Sequence, residues 1–289
     1  MNYEDPEGVK KYRNKAEALT SPFAQYLIQQ CGLDRADGSS ELVILDNACG
    51  TAVVTLNLYE TLSLAAKAKL QVVCGDLSPE MVKSVQERIE ESGWADASAR
   101  VVDAWRMDLP SDHFTHVITN FAFPGFAEPR SFLKESFRVL RPNGITAMTR
   151  FERVGWYPIA AAAVARIPGA PCVPPFEEFS RDVQGDLKGD DDWTDVPWIE
   201  EEMRKVGFED VQSVLRKTVS KAQNAEEYLK IFGEINVIGM AWSEEEKERV
   251  RPHYQAALVE ELKSRFGDGE ITLEWGAWCI TARVPASKT

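Results

Sequence analysis

Residues 41–52 read Glu-Leu-Val-Ile-Leu-Asp-Asn-Ala-Cys-Gly-Thr-Ala, and this stretch decides the fold. Positions 42–45 are apolar at every step rather than at alternate ones, the pattern of a strand buried on both faces. The run ends on Asp46 and enters a turn of small residues around one glycine, Gly50, after which Thr51 to Lys69 reads as a helix.

The same rhythm repeats outward from this unit. Residues 70–76, LQVVCGD, form a second strand, and Ser78-Pro79-Glu80 then supplies an N-cap, a first-turn proline and an acid. The helix they open carries Met81, Val82, Val85 and Ile89 on one face. Further strands are expected at 99–103, 115–120 and 145–151, with a helix at 129–140 closed by the Arg141-Pro142-Asn143-Gly144 turn. A helix at 155–166 leads into the irregular, proline-rich stretch 168–193. The alternation resumes with a helix at 196–206 and a strand at 208–217, then helices that include a Ser243/Glu246 capping box, and a last strand at 270–284. Upstream, Val9, Tyr12, Ala16, Leu19, Phe23 and Tyr26 recur at helical spacing, and Thr20-Ser21-Pro22 predicts a break into helices at 7–19 and 22–31.

Apolar strands alternating with helices predict an α/β fold. The expected architecture is a Rossmann-like, seven-stranded, mostly parallel sheet with helices on both faces, plus a helical N-terminal lid and helical cap insertions. The expected organisation is one structural domain: an N-terminal helical lid at 1–40, a cofactor-binding core at 41–151, a cap insertion at 152–195, resumption of the sheet at 196–219, a second helical cap insertion at 220–268, and the last strand and tail at 269–289.

Composition narrows the function. The 289 residues carry 33 Lys plus Arg against 46 Asp plus Glu, a net charge of −13. Affinity for nucleic acid rests on cationic side chains that release counterions, so neither a nucleic acid nor an anionic membrane surface is an expected partner. The N-terminus is charged where a secretory signal needs an apolar stretch, and the apolar run at 159–165 is too short to span a bilayer. Five scattered cysteines without a C-x-x-C pair suggest neither a disulfide framework nor a zinc site, and point to a reducing, cytoplasmic setting. No metal is expected; Asp190-Asp191-Asp192 reads as a solvated turn.

In a doubly wound sheet the ligand lies beyond the carboxyl ends of the strands. Those ends read Asp46-Asn47-Ala48-Cys49-Gly50, Asp76-Leu77-Ser78, Asp103-Ala104-Trp105 and Asn120-Phe121-Ala122-Phe123. A tight turn after the first strand and an acid at the end of the second suit a nucleoside, whose ribose hydroxyls the acid can accept. The turn has one glycine and no lysine, so it matches neither a dinucleotide G-x-G-x-x-G loop nor a P-loop, and a nucleoside without pyrophosphate fits better.

The motifs LDNACGTA, GDLSPEMV, VVDAWRMDLP and THVITNFAF, followed by LRPNGITAMTRF, resemble in order those of the class I S-adenosylmethionine-dependent methyltransferases. Ala48 and Ala52 stand where that family usually has glycine; Gly50 is kept. More narrowly, the opening around Lys11-Tyr12-Arg13, the DNACGTA turn and the segment VGWYPIAAAAVARIPG resemble fungal secondary-metabolite enzymes, namely gliotoxin-type thiol methyltransferases and the O-methyltransferases of roquefortine-derived alkaloids such as meleagrin and oxaline. The resemblance implies S-adenosyl-L-methionine as cofactor. It places Asp46, Ala48 and Gly50 at the methionine part, Asp76 at the ribose, Leu77 and Met81 on the adenine faces, and Asp103 with the Ala104 amide at the adenine edge. Asn120 and Phe121 lie beside the sulfonium, with Trp105 and the lid residue Tyr12 completing the cofactor set.

The implied activity is methyl transfer to a small hydrophobic natural product. O-methylation of an acidic hydroxyl, enol or N-hydroxy group of an indole alkaloid is favoured by the resemblance, with S-methylation of a dithiol or N-methylation as alternatives. A non-catalytic cofactor-binding regulator is the alternative of another class. Bases are few: His113 and His116 flank the far end of the fourth strand, where surface or packing roles are expected, leaving His253 as the candidate catalytic base. Aromatic residues near the strand ends and cap, Phe23, Phe121, Phe123, Trp156, Phe176 and Phe179, form the candidate substrate pocket. A monomer or homodimer is expected.

Overall fold

The computed structural model describes residues 6–123, 126–183, 191–233 and 242–288, leaving aside the side chains of 6–16, 18, 182 and 183. It contains a seven-stranded, mostly parallel sheet in the order β3-β2-β1-β4-β5-β7-β6. The strands are β1 (Leu42–Asn47), β2 (Leu70–Asp76), β3 (Ala97–Val101), β4 (Phe114–Thr119), β5 (Leu140–Arg153), β6 (Glu209–Ala222) and β7 (Ile271–Arg283). β1 pairs in parallel with β2 on one side and β4 on the other, so the order reverses at β1 and opens a crevice at its carboxyl end. All six residues of β1 are buried, as a run without polar alternation requires.

Ten α-helices are described: α1 (Pro6–Gln30), α2 (Val53–Thr61), α3 (Leu64–Lys67), α4 (Pro79–Ser92), α5 (Pro129–Val139), α6 (Tyr157–Ala165), α7 (Phe176–Val183), α8 (Val196–Val206), α9 (Ala225–Phe232) and α10 (Glu244–Phe266). The punctuation marks in the sequence account for most ends. Ser78 accepts from the Met81 amide, Asp195 from Trp198 and Asn224 from Glu227, while Ser243 and Glu246 form the full capping box.

The structure corrects several expectations about elements. The predicted break at Thr20-Ser21-Pro22 does not occur; α1 runs through Pro22 as one helix of 25 residues. Burial of Phe23, Ala24, Leu27 and Ile28 and a Ser21–Asn57 side-chain pair at 2.9–3.1 Å hold it against α2. That packing outweighs the single backbone hydrogen bond a proline removes. Conversely, the helix expected from 51 to 69 is two helices, because Ser63 caps a new one by accepting from the Ala66 amide. The Arg141–Gly144 turn lies inside β5 as an irregularity in its pairing with β4, and α7 occupies part of the stretch expected to be irregular. His116 is buried, its ring nitrogen 2.9 Å from Thr115 Oγ1, and burial pushes its pKa down to about 4.

The chain packs as two compact units. One comprises residues 1–150, 195–216 and 277–289, and the other 151–194 and 217–276. In the first, Ala24, Leu27, Ile44, Val54, Leu58, Val72 and Ile118 belong to one buried apolar cluster beneath β1 and β2. In the second, α10 packs on α6, and the fully buried Trp275 contacts Phe151 and Phe232 and donates to Ser220 Oγ at 2.8 Å.

Candidate cofactor site

In the first unit a cavity of about 270 Å³ lies at the carboxyl ends of β1, β2 and β4. The turn from β1 into α2 forms its floor, and the backbone there is tight: Ala48, Gly50 and Ala52 all have left-handed φ, at 50°, 53° and 62°. Glycine adopts this conformation freely, whereas each alanine is strained by about 1–2 kcal/mol. Small side chains at 48 and 52 are therefore a compromise that keeps backbone close to whatever occupies the cavity.

Two acids hold this turn. Asp76, at the end of β2, accepts from the Gly50 amide at 2.8 Å and from the Ser78 amide at 3.0 Å. Asp46, at the end of β1 and 1% exposed, accepts from the Thr55 amide at 3.1 Å and from Thr55 Oγ1 at 2.7 Å. Burial, reinforced by the nearby charge of Asp76, outweighs these hydrogen bonds and that of Arg88, raising the Asp46 pKa to about 7. Cys49 lines the same cavity, but a hydrogen bond with Cys74 and burial push its thiol well up, so it is a neutral wall rather than a nucleophile.

A polar network closes the side near β4. The Phe121 amide donates to Thr149 Oγ1 at 2.8 Å, Thr149 Oγ1 donates to Asn120 Oδ1 at 2.8 Å, and Asn120 Nδ2 donates to the Thr20 carbonyl of α1 at 3.2 Å. Phe121 has φ of 61° and meets Phe23 edge-on at 5.2 Å. The strained backbone thus aims an aromatic ring and an amide side chain from successive positions at the strand end.

Of the residues singled out from sequence, Asp46, Ala48, Gly50, Asp76, Met81, Asn120 and Phe121 line this cavity. Leu77 is 58% exposed and Asp103, Ala104 and Trp105 lie off the lining; Asp103 accepts from the Trp105 amide at 3.2 Å and pairs with Arg106 at 3.4 Å. Tyr12 has a side chain outside the described residues. Phe123 is buried against Phe126 and Phe132, and Phe179 is buried against Tyr157. Trp156 is half-buried beside Tyr157, Phe176 lines a second cavity, and His253 is exposed on α10 and lines neither.

The predicted site set left out Thr20, Cys49, Thr51, Val53, Val54, Ser78 and Ala122 on the lining, and Arg88 behind the turn. Arg88 reads as a surface charge of α4, yet it is 4% exposed and binds both the Thr51 carbonyl and Glu17. No periodic signal marks such a residue, because its role follows from α4 lying over the turn.

The cavity's residues fit a cationic nucleoside. Among the described residues its lining has two carboxylates, the buried hydroxyl of Thr51 meets no protein partner, and no lysine or arginine is present to cradle a phosphate. Comparison with known proteins agrees. Residues 44–144 match the family described as a methyltransferase domain. Over 270 residues the chain is 31% identical to methyltransferase tpcH of Aspergillus fumigatus, covering 92% of this chain and 93% of that protein. The chain belongs to the class I S-adenosylmethionine-dependent methyltransferases. A second relative of these methyltransferases, the acetylaranotin bis-thiomethyltransferase of Aspergillus terreus, is 30% identical over 93% of this chain and 92% of its own length. The YcgJ protein of Bacillus subtilis shares the fold, with a TM-score of 0.54 and 15% identity over 90% of this chain and 99% of that one. The enzyme's cofactor is S-adenosyl-L-methionine, which supplies an activated methyl carbon when bound.

Proposed function

We propose that this methyltransferase acts in fungal secondary metabolism, in the cytoplasm, on a small hydrophobic natural product whose accepting atom ionises readily. The observation that carries this reading is the ionisable content of the cofactor cavity. Among the described residues its lining contains Asp46, Cys49 and Asp76 and no histidine, lysine or tyrosine. The two carboxylates are occupied with backbone and threonine donors and the thiol is held neutral, so no histidine, lysine or tyrosine base among the described residues faces the cavity. An acceptor that loses its proton with little help needs none. Acidic hydroxyl, enol and N-hydroxy groups meet that condition, and the preference for O-methylation among such acceptors rests on the resemblance to the alkaloid O-methyltransferases.

In this reading Asp46, Ala48 and Gly50 receive the methionine part, and the spare lone pairs of Asp76 accept from the ribose hydroxyls. Met81 packs on the base, and Asn120 and Phe121 orient the acceptor side. The residues contribute position and water exclusion, which at the limit is worth about 7–11 kcal/mol of a bimolecular barrier. Leu77, Asp103, Ala104, Trp105 and Tyr12 keep their proposed adenine and lid roles only if the cofactor's base extends past the described lining. His253 has no supporting geometry as a base beyond its exposed place on α10.

A second reading, S-methylation of a dithiol, is favoured by one observation: a relative aligned over nine-tenths of both chains is named a bis-thiomethyltransferase. A thiol satisfies the same requirement of ready ionisation. The test is transfer of labelled methyl to a panel of phenolic, enolic, N-hydroxy, thiol and amine acceptors. Labelling of the acidic hydroxyls or thiols is expected. Labelling confined to amines would overturn the reading, and cofactor binding without any transfer would make the chain a regulator.

A further inference from the structure

The second unit contains a larger cavity, of about 730 Å³, that shares no lining residue with the cofactor cavity. Its size lies within the range of small-molecule sites, roughly 300–1,000 Å³. Part of the wall is apolar and aromatic. Tyr157 meets Phe176 edge-on at 5.3 Å and donates its hydroxyl hydrogen to the Pro174 carbonyl at 2.9 Å, while Ile159, Phe266 and Leu273 complete the surface. Gly155 lets the chain approach β7 closely, since a Cβ there would fall 2.7–2.8 Å from Glu274 O and Leu273 Cβ.

The charges on this lining do not cancel. Arg153 is paired with Glu274 at 3.1 Å, and Arg265 is paired with Glu261. Glu152 and Glu177 also line the cavity, and among the described residues neither has a cationic partner. Glu152 is the more constrained of the two. Its Oε2 occupies the space that a side chain at 276 would fill, is shielded from solvent and meets no donor. Oε2 is turned to Gly276, which does not line the cavity, so Oε1 is the atom that a donor in the cavity can meet, and a carboxylate without a cationic partner among the described residues gains from such a donor.

We propose that this cavity is a binding site for a small, flat, apolar molecule bearing a cationic or N–H donor group, which the Glu152 carboxylate accepts. The site discriminates against anions of the same shape. Gly276 is the residue that makes room for the carboxylate, so it sets the preference without touching the ligand. The inference is independent of which atom the enzyme methylates, and its test reads binding rather than transfer.

The probes are tryptamine and indole-3-acetate, which share a flat apolar ring and differ in the sign of their charge. Titration calorimetry on the full chain, in saturating S-adenosylhomocysteine to fill the cofactor cavity, is expected to show tryptamine binding at least tenfold tighter than indole-3-acetate. Glu152→Gln should weaken tryptamine at least fivefold and bring the two probes within a few-fold of each other. Gly276→Ala should act in the same direction, because the new methyl displaces the carboxylate, whereas Ala161→Trp should block both probes by filling the cavity. Circular dichroism of each variant separates these effects from unfolding. Equal affinity for the two probes, no binding of either, or tryptamine binding unchanged in Glu152→Gln would overturn the proposal.

Discussion

Asp46 and Asp76 stand at equivalent ends of neighbouring strands, yet their surroundings give them different work. Asp76 is partly exposed and has accepting capacity beyond its two backbone donors, so under the proposed ribose role Asp76→Ala removes charge-assisted hydrogen bonds to the cofactor as well as the anchor of the Gly50 turn. Cofactor affinity is expected to fall at least tenfold, about 1.4 kcal/mol, by calorimetry; unchanged affinity would remove the ribose role. Asp46 makes binding depend on pH. Its folded-state pKa is raised to about 7, so its ionised form is disfavoured in the free protein and favoured by a bound cation. Affinity for S-adenosylmethionine should rise several-fold between pH 6 and pH 8, with proton release on binding. The apo protein carries the opposite dependence: the contribution of this group to stability is present below about pH 4 and is lost as pH rises through about 7. Asp46→Asn should flatten both profiles, and a flat wild-type affinity profile would show that the charge of Asp46 does not meet the ligand.

At the scale of elements, local signals and packing divide the control of helix ends. Gly207 ends α8 with φ of 115°, and a Cβ there would press on the Phe137 ring at 3.2–3.3 Å. Gly207→Ala is expected to cost about 1–2 kcal/mol, read as a melting temperature lower by a few degrees, with cofactor affinity unchanged. Equal stability would mean the α8 end relaxes freely. Where local signals sit at the right positions, as at the cap that starts α4 and at both ends of α8, the boundary was legible in the sequence. Where packing overrides them, it was not. The proline of α1 reads as a start signal, and only the buried face shared with α2 shows that the helix continues.

For the whole molecule, net charge and site chemistry together predict ligand selectivity. A chain of net charge −13, with no lysine or arginine among the described residues of the cofactor cavity, is expected to disfavour polyphosphates. S-adenosylmethionine at a hundredfold its dissociation constant should stabilise the protein by about 2.7 kcal/mol, seen as a raised thermal midpoint. NAD and ATP at the same concentration should leave it unmoved. Stabilisation by either nucleotide would contradict the phosphate-free reading of the turn.

The sequence by itself determined the sheet, the class of cofactor and the acids that stand at the ends of β1 and β2. Apolar strands, strand-end carboxylates and small turn residues are local patterns, and the chemistry they serve needs them at fixed places along the chain. Only the tertiary structure decided that α1 brings Thr20 to the cofactor cavity, that Arg88 is buried beneath the turn, and that Glu152 sits in the space left by Gly276. Each of those depends on residues far apart in the chain being packed together. Such a meeting leaves no periodicity in any one segment, so it becomes visible only when the elements are in place.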